Sequence, residues 1–169
     1  MKKKIKIKFQ NNAFILDNES NFKSLNSKGF GNKLNNNFFL MGYEVLFLLE
    51  KLKIEVYYKE EKLKFDDCLK LSKLKIEDYL VYKDLKSKGY QIKSGAKYGF
   101  AFRIYDKGIK ESEDHSLWLV DIFKENKSLN FREILGKNRV AHSTNKKMIF
   151  AIFDEDNSIT YLENSWRRM

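Results

Sequence analysis

The amino-acid sequence predicts a mixed α+β or α/β protein made of two small mixed domains, and three observations carry that expectation. The first is composition: among 169 residues, 43% are hydrophobic and there are 14 Phe, 9 Tyr and 2 Trp. Disordered chains are poor in aromatics, so this one folds. The second is periodicity, because short segments that alternate polar and apolar residues interleave with segments of helical spacing along the whole chain. The third is the lysine-rich stretch Leu71-Ser-Lys-Leu-Lys-Ile76. The length suits one generous domain or two small ones, and this stretch marks a join, giving expected domains at 1–74 and 75–169.

Residues 2–9 alternate strictly enough for a half-buried strand, and Ala13-Phe-Ile-Leu16 continues as a second. Asp17-Asn-Glu-Ser-Asn21 is turn chemistry, and Ser27-Lys-Gly-Phe-Gly-Asn32 reads as a loop. Asn36 or Asn37 is placed to cap a helix from about Phe39 to Leu52. Ile54 to Tyr58 reads as a strand and Phe65 to Leu71 as a short helix. From Ile76, the spacing of Tyr79, Leu80, Val81 and Leu85 suits a helix, closed by Gly89 in a left-handed cap. Strands follow at Tyr90–Lys93, Tyr98–Tyr105 and Leu117–Phe123. Ser128 can cap a helix containing Phe131, Ile134 and Leu135, with Glu133 favouring the dipole of its early turns. Strands at Met148–Phe153 and Ile159–Leu162, joined through Asp154-Glu-Asp-Asn-Ser158, end the pattern. No repeat, heptad register or phosphate-cradling glycine loop occurs.

Composition removes several function classes. The single cysteine, Cys68, excludes an internal disulfide framework and an all-cysteine metal site, and reads as a buried structural thiol in a reducing cytosol. Two histidines, His115 and His142, are too few for a typical structural zinc site, so neither metal nor other cofactor is expected. The start alternates charge and apolar residue with no continuous apolar stretch after it, unlike a secretory signal. The best apolar run, Met41 to Leu52, is short and broken by Glu44 and Glu50, far below a membrane span. A soluble cytoplasmic protein is the expectation. The absence of proline, where average usage of about 5% would give roughly eight, reads with the Lys and Asn excess as nucleotide-composition bias.

The formal net charge is +10, which makes a polyanion the first partner to consider, because released counterions drive such binding. Up to Leu74 the chain has 15 Lys and Arg against 9 Asp and Glu, and beyond it 18 against 14. The excess is spread over both halves rather than confined to a tail. A lysine-rich surface without specific purpose is the plain alternative.

Three segments concentrate the chemistry: Lys97-Tyr-Gly-Phe-Ala-Phe-Arg-Ile-Tyr105-Asp-Lys-Gly108, Glu113-Asp-His115-Ser-Leu-Trp-Leu-Val120 and Arg139-Val-Ala-His-Ser-Thr-Asn-Lys146-Lys147. Taken singly, Tyr105 reads as a core or edge tyrosine, Lys146 as a solvated lysine, His115 as a surface or capping histidine and His142 as structural. Together they offer a base, an acid and a fixed positive charge, which metal-free RNA cleavage by the neighbouring 2′-hydroxyl requires.

With Tyr79-Leu-Val-Tyr-Lys-Asp-Leu-Lys-Ser-Lys-Gly-Tyr90, these segments occur in an order that resembles the archaeal tRNA-splicing endonucleases, the tRNA-intron lyase family shared with the eukaryotic splicing subunits. The resemblance runs from Tyr79 to the end and extends more weakly, in element order, over the first 74 residues. It implies a catalytic C-terminal domain built on a mixed sheet flanked by helices. By motif, Tyr105 would be the general base, His115 the general acid and Lys146 the transition-state stabiliser, while Arg139 matches an arginine that stacks on bases at the RNA bulge. One departure is Ala101, where family members commonly carry aspartate just before the Phe-Arg; a local structural change is expected there.

The implied reaction is coherent. The 2′-hydroxyl loses its proton as it attacks phosphorus, the 5′-oxygen gains one as it leaves, and the non-bridging oxygens need compensating charge. The products are a 2′,3′-cyclic phosphate and a 5′-hydroxyl, and since no water enters, the reaction is formally a lyase step. Tyrosine, with a reference pKa of about 10, needs neighbouring cations to act as the base, whereas histidine is well suited to donate.

The implied substrate is precursor tRNA with its bulge-helix-bulge, whose two cleavage sites call for two active sites at a fixed distance. The acidic turn Asp154-Glu155-Asp156 stands out in a basic chain and resembles a loop that docks into a basic cleft of an opposing subunit. Ile159-Thr-Tyr-Leu-Glu-Asn164 resembles a strand that pairs tail to tail. A homotetramer, or a heterotetramer with a structural subunit, is implied, with no membrane partner. The alternatives are a non-catalytic structural subunit of the same enzyme, against which Tyr105, His115 and Lys146 speak, and a basic RNA-binding module that cleaves nothing.

Overall fold

The computed structural model describes residues 4–109, 114–156 and 158–166. The chain divides into two compact units, Met1–Tyr79 and Leu80–Met169. Among the described residues no helix is long and apolar enough to cross a membrane.

In the first unit the elements run β1 (Ile5–Gln10), β2 (Ala13–Leu16), α1 (Glu19–Asn26), β3 (Asn32–Leu34), β4 (Asn37–Leu40), α2 (Gly42–Glu50), β5 (Ile54–Tyr58), β6 (Glu61–Leu63) and α3 (Phe65–Ser72). Residues 2 and 3 of the expected first strand lie outside the described residues. The six strands form one sheet in the order β3-β4-β2-β1-β5-β6, with β1 and β5 parallel and every other pair antiparallel. Tight turns at Asn11-Asn12 and Lys59-Glu60 take positive φ at both positions, as two-residue hairpins demand.

Two segments of the first unit depart from the sequence expectation. Asp17–Asn21 is not a simple turn: Asn18 accepts from the backbone N–H of Asn21 at 2.7 Å and opens α1. The helix expected from Phe39 begins only at Gly42, and Asn36 and Asn37 do not cap it; Asn37 to Leu40 instead pair with β2 and β3. Glu44 caps that helix, its carboxylate accepting from Met41 N at 2.9 Å and Gly31 N at 3.1 Å while fully buried. The α2 segment is buried from Tyr43 to Leu48, and it approaches α3 so closely that a Cβ on Gly42 would lie 2.4 Å from Ser72 Cβ.

In the second unit, α4 (Ile76–Ser87, begun in the first) is followed by β7 (Gln91–Ser94), a 3₁₀ turn (Ala96–Tyr98), β8 (Phe102–Tyr105), β9 (Trp118–Lys124), α5 (Phe131–Ser143), β10 (Lys147–Phe153) and β11 (Ile159–Asn164). Gly89 closes α4 at φ +94°, with Tyr90 N bonded back to Leu85 O. The strand expected over 98–105 is shorter than its pattern, because Gly95 and Gly99 fold its start into the 3₁₀ turn. Asn130, not Ser128, caps α5 by accepting from Arg132 N at 2.8 Å.

The sheet order is β11-β10-β9-β8-β7, mixed because β9 and β10 are parallel and joined through α5. Strand alternation then separates two faces. Leu119, Met148 and Phe150 pack with Phe100 and Ala141 of α5 into one core cluster. On the other face Phe102 meets Tyr82 of α4 at 6.2 Å between ring centroids, and Tyr161 of β11 donates to Asp84 of α4 at 2.7 Å. Helices therefore flank the sheet on both sides.

Candidate active site

Strand register decides where the three motifs end. Ile104 of β8 pairs with Trp118 of β9, and Trp118 pairs with Lys147 of β10. The row is tied by Leu117 N donating to Ile104 O at 2.9 Å and Lys147 N donating to Leu117 O at 2.9 Å. Tyr105 is one residue past Ile104 and Lys146 one before Lys147, so both fall at the same end of the sheet, on the strands either side of β9. His115 lies two residues before Leu117, at that same end. Three segments far apart in sequence are thus brought to one edge of the sheet.

Tyr105 ends β8 and is 2% exposed. It pairs with Gln91, and its alternation places it with Arg103 on the α5 face, since Arg103 pairs with the core residue Leu119. The Arg103 guanidinium carbon lies 5.7 Å from the Tyr105 ring centroid, and Lys93, buried on β7, pairs with Arg103. Arg103 and Lys93 are the cations that the sequence reading missed. The signal was available in Phe102-Arg-Ile-Tyr105, where a two-residue period puts Arg103 and Tyr105 on one face.

His115 is exposed, and its backbone N–H donates to Asp114 Oδ1 at 2.6 Å. Glu113, which begins its motif, lies outside the described residues. Lys146 is held by the way α5 stops. Asn145 adopts the left-handed conformation at φ +55°, and Lys146 N bonds back to Ala141 O at 2.8 Å. The Lys146 ammonium donates to Thr144 O at 3.2 Å and stands 5.7 Å from the Tyr98 ring centroid. The bond to Thr144 puts it beside the C-terminal end of α5, where a cation is favoured by the helix dipole.

Arg139 is exposed on α5, seven residues before Lys146. His142 stacks on Trp166, with ring centroids 6.0 Å apart and planes at 26°. The acidic turn is ordered from within: Asp154 accepts from Ser158 N at 2.8 Å and from the Ser158 hydroxyl, while Glu155 N donates to Glu125. The two bonds from Ser158 hold the Asp154 carboxyl below its usual range. Glu155 and Asp156 are exposed. Among the described residues, no group of three or more His, Cys, Asp or Glu could hold a metal ion.

A buried phenol flanked by cations, an exposed imidazole and an ammonium at one sheet edge can together move two protons and offset anionic charge.

Comparison with known proteins finds matches in both units. Residues 76–161 match the family described as "tRNA intron endonuclease, catalytic C-terminal domain", and residues 5–69 match "tRNA intron endonuclease, N-terminal domain". The tRNA-splicing endonuclease of Thermococcus gammatolerans is 46% identical over 79 residues, 47% of this chain and 45% of that protein. The protein of that name from Methanococcus maripaludis is 39% identical over 80 residues, 47% of this chain and 45% of its own. Such matches span about half the length of the relatives. By contrast, the tRNA-splicing endonuclease of Thermococcus onnurineus is 35% identical over 171 residues, 98% of each chain. The chain belongs to the tRNA intron endonuclease family, a family of endoribonuclease enzymes.

Proposed function

We propose that the chain cleaves precursor tRNA at intron boundaries, through 2′-hydroxyl attack on the adjacent phosphodiester and without a metal. The observation that carries the reading is the cross-strand row that delivers Tyr105, His115 and Lys146 to one end of the sheet in residues 75–169. Tyr105, as phenolate, takes the proton of the 2′-hydroxyl while the 2′-oxygen bonds to phosphorus. The bond from phosphorus to the 5′-oxygen breaks, and His115 gives that oxygen its proton. Lys146 offsets the charge on the non-bridging oxygens. A 2′,3′-cyclic phosphate and a 5′-hydroxyl result.

Arg103 and Lys93 put positive charge on the face that carries Tyr105. Tyr105 is almost fully covered, so the RNA must open a path to its phenol before the proton moves. Arg139, exposed on α5, is placed for stacking on an unpaired base. Asp154, Glu155 and Asp156 form the projecting turn that docks on a second subunit, and β11, at the end of the sheet order, offers an edge for strand pairing. Either a homotetramer or a heterotetramer with a structural subunit satisfies this reading.

The test is a bulge-helix-bulge transcript incubated with purified protein in EDTA. Cleavage with cyclic-phosphate and 5′-hydroxyl ends is expected. Intact RNA at high protein would sink the nuclease reading in favour of a binding module or structural subunit, and a 5′-phosphate end would exclude the mechanism.

A further inference from the structure

On the face of the second sheet away from α5 there is a cavity of about 310 Å³ that the cleavage step does not use. Leu85, Ile104 and Ile149 form its floor, and Tyr90, Trp118 and Tyr161 stand around it. Tyr90 and Trp118 meet edge to face, 6.0 Å between centroids.

Two matching networks hold the other walls in place. Trp118 Nε1–H donates to Glu163 at 2.9 Å, and the same carboxylate accepts from Lys147 at 2.8 Å. Tyr161 donates to Asp84 at 2.7 Å, and Asp84 accepts from Lys88 at 2.7 Å. Trp118 and Tyr161 each have the polar tip satisfied by a carboxylate, and each carboxylate has its charge met by a lysine. What faces the cavity is therefore ring surface and aliphatic floor, with ammonium groups at the rim. Lys88 also lies 5.2 Å from the Tyr161 ring centroid, and Lys107 lies 5.2 Å from that of Tyr90.

We propose that this cavity receives one unstacked nucleobase of the RNA substrate, flanking the cleaved linkage. Flat π faces accept any base by stacking, and Lys107, 5.2 Å from the Tyr90 ring centroid, suits a phosphate beside it. Location supports the same occupant. Trp118 shares its cross-strand row with Ile104 and Lys147, and the next residues along those strands are Tyr105 and Lys146. The cavity and the cleavage residues lie toward one end of one sheet, on its two faces: the lining residue Ile104 is next to Tyr105 on β8, while Trp118 follows His115 by three residues and Ile149 follows Lys146 by three.

The inference rests on the nuclease reading, and its test separates the two. Trp166→Phe leaves Trp118 as the one tryptophan in the chain. That variant is titrated with a bulge-helix-bulge RNA carrying 2′-deoxy nucleotides at the cleavage sites, with binding followed independently by filter retention. Trp118 emission should fall about twofold as binding saturates, through stacking, and should recover when the flanking base is replaced by an abasic site. In the cleavage assay Tyr90→Ala should raise KM about tenfold, the loss of one stacked base, while Tyr90→Phe retains the wild-type value. Saturated binding with unchanged emission, or unchanged KM in Tyr90→Ala, overturns the pocket alone. Quenching that appears as protein concentration rises without RNA assigns the cavity to a second copy of the chain and also overturns it. Failure of any RNA to be retained overturns both readings.

Discussion

Lys137 of α5 reaches Asp121 of β9 at 2.6 Å, and the same ammonium donates to Gly99 O at 2.7 Å and lies 4.7 Å from the Phe100 ring centroid. One side chain thus joins helix, sheet and the turn before β8, on the face that carries Tyr105. The contact with Asp121 is an ion pair at close range without hydrogen-bond alignment, so its value lies mainly in compensating a carboxylate that is 8% exposed. Lys137→Met should cost about 1–2 kcal/mol in urea unfolding. Adding Asp121→Asn should recover part of that loss, and strict additivity of the two changes would show that the pair is not coupled.

Glu44 accepts one backbone N–H on each carboxylate oxygen. Glutamine has one acceptor oxygen and would turn its amide N–H₂ toward the second donor. Glu44→Gln should therefore destabilise the first unit by about 1–3 kcal/mol, despite its nearly unchanged shape. A denaturation midpoint equal to that of the unmodified chain would refute this.

For the cleavage step, His115→Ala and Lys146→Ala should each slow single-turnover cleavage by about 10²-fold or more, as loss of an acid or an electrostatic donor does. Tyr105→Phe should lower that rate with little loss of RNA binding. Equal losses of rate and affinity would assign Tyr105 a contact with the RNA instead.

Alkaline pH should weaken the fold in a predictable window. Burial, with a smaller push from Asp67, raises the Cys68 thiol to about 12 from an ordinary 9.0. Burial followed by Glu50 raises Tyr79, and burial followed by Asp84 raises Tyr161. These groups stay protonated in the folded chain after the unfolded chain has begun to release its protons, so their stabilisation is complete below pH 9 and falls as pH rises above it. Each full proton of difference tilts stability by about 1.4 kcal/mol per pH unit. Urea melts between pH 8 and 10.5 should show that decline, with a shallower slope in Cys68→Ala. A flat profile would contradict it.

Much of this was readable one residue at a time, and the failures share a cause. Residues 5–10 alternate cleanly and are a strand. Asparagine misled twice in opposite directions, because the same side chain serves turns and helix caps. At Asn18 turn chemistry proved to be a cap, and at Asn36 and Asn37 the presumed cap belongs to a hairpin whose Phe38 and Phe39 pair with β2. At the candidate site the motif ends were legible, since each is a local pattern. Arg103 could be read from the two-residue period, but Lys93 opposite it on β7 and the walls of the cavity depend on which strand lies next to which. That adjacency is a property of register between distant segments, which no local periodicity encodes.

The left-handed backbone at Asn145 bears on how the chain can vary. Glycine there relieves the conformation and aspartate tolerates it, but a β-branched residue does not. Valine at 145 would press α5 to end differently and draw the ammonium of Lys146 away from the sheet edge, with every reacting group still present. Drift at this position is therefore bounded by backbone shape rather than by side-chain chemistry, and on the proposed mechanism a copy silenced this way retains Tyr105, His115 and Lys146.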